Sequence, residues 1–151
     1  MNVNARVEPA TASSTSSLIE RYRSVRQDSM RLAEPCETED MVIQSMPDVS
    51  PMKWHLAHTT WFFETFLLEK FDPNYQPRCP EFRLLFNSYY NAVGDRHPRP
   101  RRGLLSRPTV KEVFTYRKSI DGLVTELADR VGEVGQRAVD GHRDRLLGEG
   151  F

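Results

Sequence analysis

Ser50-Pro-Met-Lys-Trp-His-Leu-Ala-His-Thr-Thr-Trp-Phe-Phe-Glu64 is the stretch whose reading decides the fold. Ser50 followed by Pro51 opens a helix. A serine hydroxyl accepts a free backbone N–H, and proline at the first helical position gives up an N–H that would have no partner. Trp54, His58, Trp61, Thr65 and Leu68 then recur at alternating steps of four and three, so they share one face. Phe62, Phe63 and Phe66 widen that stripe toward half the circumference, as in a helix inside a bundle. The helix is expected to run from Pro51 to about Glu69, where Phe71-Asp-Pro-Asn-Tyr75 turns the chain.

His58 sits in the middle of this stripe, and two readings of it stand. A core histidine satisfies its ring nitrogens with neighbouring side chains or a water. A metal ligand uses the same inward position, because bundles build metal sites from inward residues on facing helices and neutral imidazole suits iron, zinc or nickel. His55 lies one turn earlier but is rotated off the face, which fits a place on the helix surface or behind a ligand.

Working outward, Met1 to Ser17 is rich in Ser, Thr and Ala without periodicity and reads as a disordered tail. Leu18, Tyr22, Val25, Ser29 and Leu32 form the expected inner face of a first helix that Pro35 ends. Thr38 opens a short second helix whose first turn carries Glu39 and Asp40, placed well for the helix dipole. Glu81 to Val93 is expected to be another helix, with Phe82, Leu85, Phe86 and Tyr89 facing inward and Gly94-Asp95 ending it. Thr109-Val-Lys-Glu112 is a capping box. It starts a long helix with Val113, Tyr116, Ile120, Leu123, Leu127 and Val131 along one seam. Of the eight glycines, five fall between Gly132 and Gly150. Each costs an interior helix ~1 kcal/mol against alanine. The expected organisation is a tail over 1–17, a helical domain over 18–131 and a disordered tail over 132–151.

The loop from Arg96 to Pro108 interleaves Arg96, Arg99, Arg101, Arg102 and Arg107 with three prolines. It reads either as a solvated crossover or as a recognition site for a carboxylate or phosphate, which planar guanidinium donors suit. Charge is balanced at 21 basic against 21 acidic residues, so no global field points to nucleic acid or an anionic membrane. Cys36 and Cys79 stand in unrelated contexts, and no run of about 18 apolar residues occurs. The expected location is the cytoplasm.

The stretch Gln44-Ser-Met-Pro-Asp-Val-Ser-Pro-Met-Lys-Trp-His-Leu-Ala-His-Thr-Thr-Trp-Phe-Phe-Glu-Thr-Phe66 resembles the N-terminal DinB-like domain of ergothioneine-synthesising sulfoxide synthases. Phe86-Asn-Ser-Tyr-Tyr-Asn-Ala-Val-Gly-Asp-Arg-His-Pro-Arg-Pro-Arg-Arg-Gly-Leu-Leu-Ser-Arg-Pro108 resembles the segment that follows in the same family. The likeness extends from about Arg21 to about Arg130. It implies an all-α, DinB-like four-helix bundle. It also implies a mononuclear non-haem Fe(II) held by three histidines, the first of which matches His58. The implied reaction forms a C–S bond between trimethylhistidine and a cysteine-type thiol. Tyr89 and Tyr90 match tyrosines that some members place beside the iron and are the catalytic candidates. Arg96 and Arg99 are the candidate contacts of the anionic thiol.

The family carries its other two iron ligands as an H-x-x-x-H pair on a later helix. Here His142 stands alone, and His97 lies in the arginine loop beside Pro98. None of these 151 residues resembles the formylglycine-generating-enzyme-like domain of the family. The expectation is therefore a bundle incomplete at its C-terminal end, inactive alone. Fe(II), trimethylhistidine and thiol belong to the intact relative, and a separate chain is a candidate source of the missing parts. The competing expectation is a non-enzymatic helical-bundle interaction module.

Overall fold

A computed structural model describes residues 12–148, with side-chain surroundings within 17–137. Over that span the chain is all-α: α1 (Ala12–Ala33), α2 (Thr38–Val42), α3 (Met52–Phe63), α4 (Glu69–Phe71), α5 (Phe82–Leu85) and α6 (Val110–Gly148). A π-helical turn at Glu64–Leu68 joins α3 to α4, and a 3-10 turn at Arg99–Leu104 precedes α6. Three rods make the body: α1, the run from α3 through α4, and α6, which packs on both of the others. None of the described helices is long and apolar enough to cross a membrane.

The core has two continuous parts. Trp54, Leu56, Ala57 and Trp61 of α3 pack with Ala33, Met41, Phe86, Val110 and Val113 in one. Leu68, Tyr116, Ile120 and Val124 form the other. The capping box starts α6 as expected: the Thr109 N–H donates to Glu112 Oε2 at 2.6 Å, and the Glu112 N–H donates to Thr109 Oγ1 at 3.2 Å.

Several expected details are corrected. The helix of the opening stretch begins at Met52 with Pro51 as its cap, and Ser50 makes no cap bond. Its hydroxyl instead receives Arg102 Nη1 at 2.8 Å. The short helix α2 begins at Thr38 as expected, with Glu37 before it as the cap: the Glu37 N–H donates to Asp40 Oδ2 at 2.9 Å. The inner face of α1 is rotated from the expected one. Arg26 and Ala33 are buried, whereas Leu18, Val25 and Leu32 are 65%, 57% and 76% exposed. At 100° per residue those three lie on the flank of α1 beyond Tyr22, where no described element packs.

The helix expected over Glu81 to Val93 is a single turn. Its terminal carbonyls are taken by α3: Trp54 Nε1 donates to Leu85 O at 2.8 Å, and His58 Nδ1 lies 2.6 Å from Phe86 O. The buried Asn87 amide then ties up the following turn, donating to Tyr90 O and Gly94 O and accepting the Tyr90 N–H at 3.0 Å. A side chain that offers the backbone these partners competes directly with helix. Tyr89, expected inside, is 65% exposed.

At the other end, α6 continues to Gly148, past the expected break near Val131. The body ends first, because α3 through α4 spans about 30 Å and α6 about 58 Å at 1.5 Å per residue. Val131, expected in the seam, is therefore exposed. The expected N-terminal tail falls partly within α1, which already begins at Ala12; Met1 to Thr11, Glu149, Gly150 and Phe151 lie outside the described residues.

Glu64 is the unanticipated member of the core. It occupies the register Ala57, Trp61, Glu64, Leu68 and is 1% exposed. The Tyr75 and Tyr116 hydroxyls donate to its two carboxylate oxygens, and the Arg78 N–H donates to Oε1 at 2.9 Å. The π-helical turn starts at this residue. The carboxylate thus ties the 72–80 loop and α6 to the central rod.

Candidate functional site

His58 and Trp54 stand one turn apart on α3 with their rings stacked, 4.8 Å between centroids and 11° between planes. Trp61 and Tyr90 complete an aromatic surround, at 5.9 and 6.5 Å from the imidazole. Phe86 O only accepts, so the short contact puts a hydrogen on Nδ1 of His58. In the neutral ring this leaves Nε2 with a free lone pair, the arrangement of a metal-ligating or proton-accepting histidine whose other nitrogen is held by a carbonyl.

Electrostatics favour that neutral form. Burial holds His58 below the usual imidazole range; the Phe86 bond opposes this, while Arg102 and His55 add to it. His55, exposed on the same helix, is lowered first by partial burial and then by Arg102 and Arg99. Both native values lie below the unfolded one near 6.5. Their contribution to stability is therefore full above that pH and is lost as pH falls through the native values.

The arginine loop is bolted to the α2–α3 connection and to the start of α3. Gln44 donates to Arg99 O at 2.8 Å and accepts the Gly103 N–H at 2.7 Å. That approach requires glycine: a Cβ at position 103 would lie 2.7 Å from Gln44 Cβ. Lys53 Nζ donates to Leu105 O at 2.6 Å. The Arg102 guanidinium lies 3.4 Å over the Trp54 ring, buried, with no partner for its Nε among the described residues. Its pKa falls to about 10 through burial and the nearby Arg99 and Arg96. Arg99 in turn lies over the Tyr89 ring at 5.1 Å, and Arg96 Nη1 donates to Asn91 Oδ1 at 3.2 Å. Trp54 thus carries the imidazole on one side and the arginine cluster on another.

Residues 21–147, most of the chain and all of this geometry, match the family model described as the DinB superfamily. The chain belongs to the DinB superfamily. No curated protein matches it.

This DinB-superfamily chain brings some of the sequence candidates together and keeps others apart. Tyr90 sits with His58, packed on Phe66 at 4.9 Å and Phe62 at 5.8 Å between ring centroids. Tyr89 points away and pairs with Arg99 instead. Arg96 and Arg99 act electrostatically on Arg102, and through Arg102 the cluster reaches His58. His97 is used by the loop itself, its ring nitrogen 3.1 Å from Arg101 O. The side chain of His142 lies outside the described ones. Among the described residues no three His, Cys, Asp or Glu side chains come together as a metal site. His58 is therefore one donor, and the described residues do not by themselves fit the three-histidine iron centre that the resemblance implies.

The sequence reading missed Gln44, Lys53 and Arg102 as builders of this site. Gln44 and Lys53 are ordinary surface types, and Arg102 is one of five loop arginines with nothing in their spacing to single it out. Asn87, between two aromatic positions in Phe86-Asn-Ser-Tyr-Tyr90, carried a usable signal, since asparagine commonly bonds the backbone of a turn.

Proposed function

We propose that this chain is the DinB-like part of a sulfoxide-synthase-type system, supplying one imidazole donor and an arginine subsite rather than a complete catalyst. The observation that carries the reading is the His58 Nδ1 contact with Phe86 O at 2.6 Å, which leaves Nε2 as the donor atom. The motif resemblance adds the substrate class: trimethylhistidine and a cysteine-type thiol, with C–S bond formation as the reaction of the intact relative. Arg96 and Arg99 would hold the thiol's carboxylate, a role suited to forked guanidinium donors. Tyr90, the tyrosine packed beside His58, is the better of the two tyrosine candidates. Fe(II) would be taken up only when further ligands come from elsewhere, such as a separate chain.

An anaerobic Fe(II) titration of the purified chain is expected to show weak, non-stoichiometric uptake that falls further in His58→Ala. Incubation with trimethylhistidine, thiol and oxygen is expected to give no sulfoxide. Stoichiometric tight binding, or turnover by the chain alone, would overturn the reading.

The second reading, a helical interaction module, draws on the exposed flank of α1 formed by Leu18, Val25 and Leu32. Adding a chain that carries the formylglycine-generating-enzyme-like domain of the intact relative separates the two. Restored iron binding supports the first reading, and unchanged iron behaviour supports the second.

A further inference from the structure

Between α1, α3 and α6, two guanidinium groups share one buried space. Arg26 and Arg117 are 5% and 2% exposed. Arg26 Nε donates to Asp121 Oδ1 at 2.7 Å and Nη2 to Thr60 Oγ1 at 2.8 Å, while Nη1 reaches Thr59 Oγ1 at 3.4 Å. Arg117 Nη1 donates to the same Thr59 oxygen at 3.2 Å, and Nη2 donates to Arg26 O at 3.1 Å. Arg117 Nε is buried, with no partner among the described residues.

Charge does not balance in this space. Among the described residues, Asp121 is the one carboxylate bonded to the pair, and its Oδ1 also receives the Tyr22 hydroxyl. Every hydrogen-bond partner of Arg117 among the described residues is a neutral oxygen. Two cations against one anion leave a single positive charge in excess, and a buried charge without a counter-ion is costly. Arginine does not readily escape by losing its proton. Its pKa is nevertheless drawn down to about 10, first by burial and then by Arg26 beside it.

Thr59 is the outlet. It is exposed, and both Nη1 groups converge on its hydroxyl oxygen. We propose that Arg26, Arg117 and Thr59 form a binding site for one small oxyanion, seated over Thr59 between the two Nη1 groups. One such anion removes the excess charge. Its paired oxygens match guanidinium N–H donors in a way a spherical halide does not. The site is distinct from the loop cluster, because the arginines that act on His55 and His58 are Arg99 and Arg102, not these two.

The test is titration of the whole chain with sodium phosphate and, separately, sodium acetate at constant ionic strength. Calorimetry and the arginine Nε–H resonances report binding. Saturable one-to-one binding is expected, with the Arg26 and Arg117 resonances moving and that of exposed Arg23 staying in place. Arg117→Gln is expected to weaken binding about tenfold or more, the scale of one charge-assisted bond. The Arg96→Gln/Arg99→Gln double variant is expected to leave the shifts of the Arg26 and Arg117 resonances unchanged. Tighter acetate marks a carboxylate ligand and tighter phosphate a phosphoryl one. If Arg117→Gln fails to fold, the wild-type resonance pattern decides alone. Absence of saturable binding for both anions, equal affinity in a folded Arg117→Gln, or shifts confined to the loop arginines would overturn the proposal.

Discussion

Glu64→Ala is expected to lose about 3 kcal/mol or more of folding stability. The carboxylate is 1% exposed and is the acceptor for the Tyr75 and Tyr116 hydroxyls and the Arg78 N–H. Removing it leaves three donors without their acceptor, and each buried orphan costs about 1–3 kcal/mol. It also opens space beside Leu68, at the junction of the π-helical turn and α6. Burial, the first cause of the upward push on the ionisation of both tyrosines, remains in the variant, so neither replaces the lost charge by ionising. Glu64→Gln keeps an acceptor oxygen and the side-chain volume, and should recover a substantial part of the loss. Urea denaturation of the two variants measures both quantities. A loss under about 1 kcal/mol in Glu64→Ala would mean that the hydroxyls find other partners.

The second large effect is Trp54→Ala, expected to cost about 3–5 kcal/mol, the range for truncating a buried aromatic side chain. The indole is 3% exposed, stacks on His58, supports Arg102 at 3.4 Å and donates to Leu85 O. Its loss should therefore disturb stability and site together. Trp54→Phe separates the contributions. It keeps an apolar ring beneath the guanidinium and removes the N–H bonded to Leu85 O, so about 1–2 kcal/mol is expected from the bond. Thermal and denaturant melts check the energies, and the His58 ring resonances report whether the imidazole stays seated. An undisturbed imidazole in Trp54→Ala would show that the stack does not position it.

Sequence periodicity was enough to place the central helix, its tryptophans and the inward imidazole, because a heptad-like stripe leaves a helix few other orientations in a bundle. The capping box of α6 was equally readable, since Thr109 and Glu112 satisfy each other locally. Where the reading went astray, long-range contacts had overridden local pattern. The helix expected after Glu81 stops at Leu85 because Trp54 and His58, some thirty residues away in sequence, bond the carbonyls that would have continued it. The inner face of α1 was misplaced because Arg26, a charged type normally assigned outward, is drawn in by Asp121 and Thr60. Glu64 escaped notice for the same reason: a carboxylate in a core register is read as surface until its tyrosine donors, far along the chain, are seen. The glycines near the C-terminus weighed against helix locally, yet α6 extends through Gly132 and Gly135 to Gly148.

The central claim is that Phe86 O fixes the His58 ring with hydrogen on Nδ1 and a free lone pair on Nε2. A nitrogen-15 NMR titration of the imidazole reads this directly. The expected result is a neutral ring at pH 7 with a pyrrole-type Nδ1 and a pyridine-type Nε2, taking up a proton only below the usual pH of about 6.5. A hydrogen found on Nε2 at pH 7, or a protonation midpoint above the ordinary imidazole value, would contradict it.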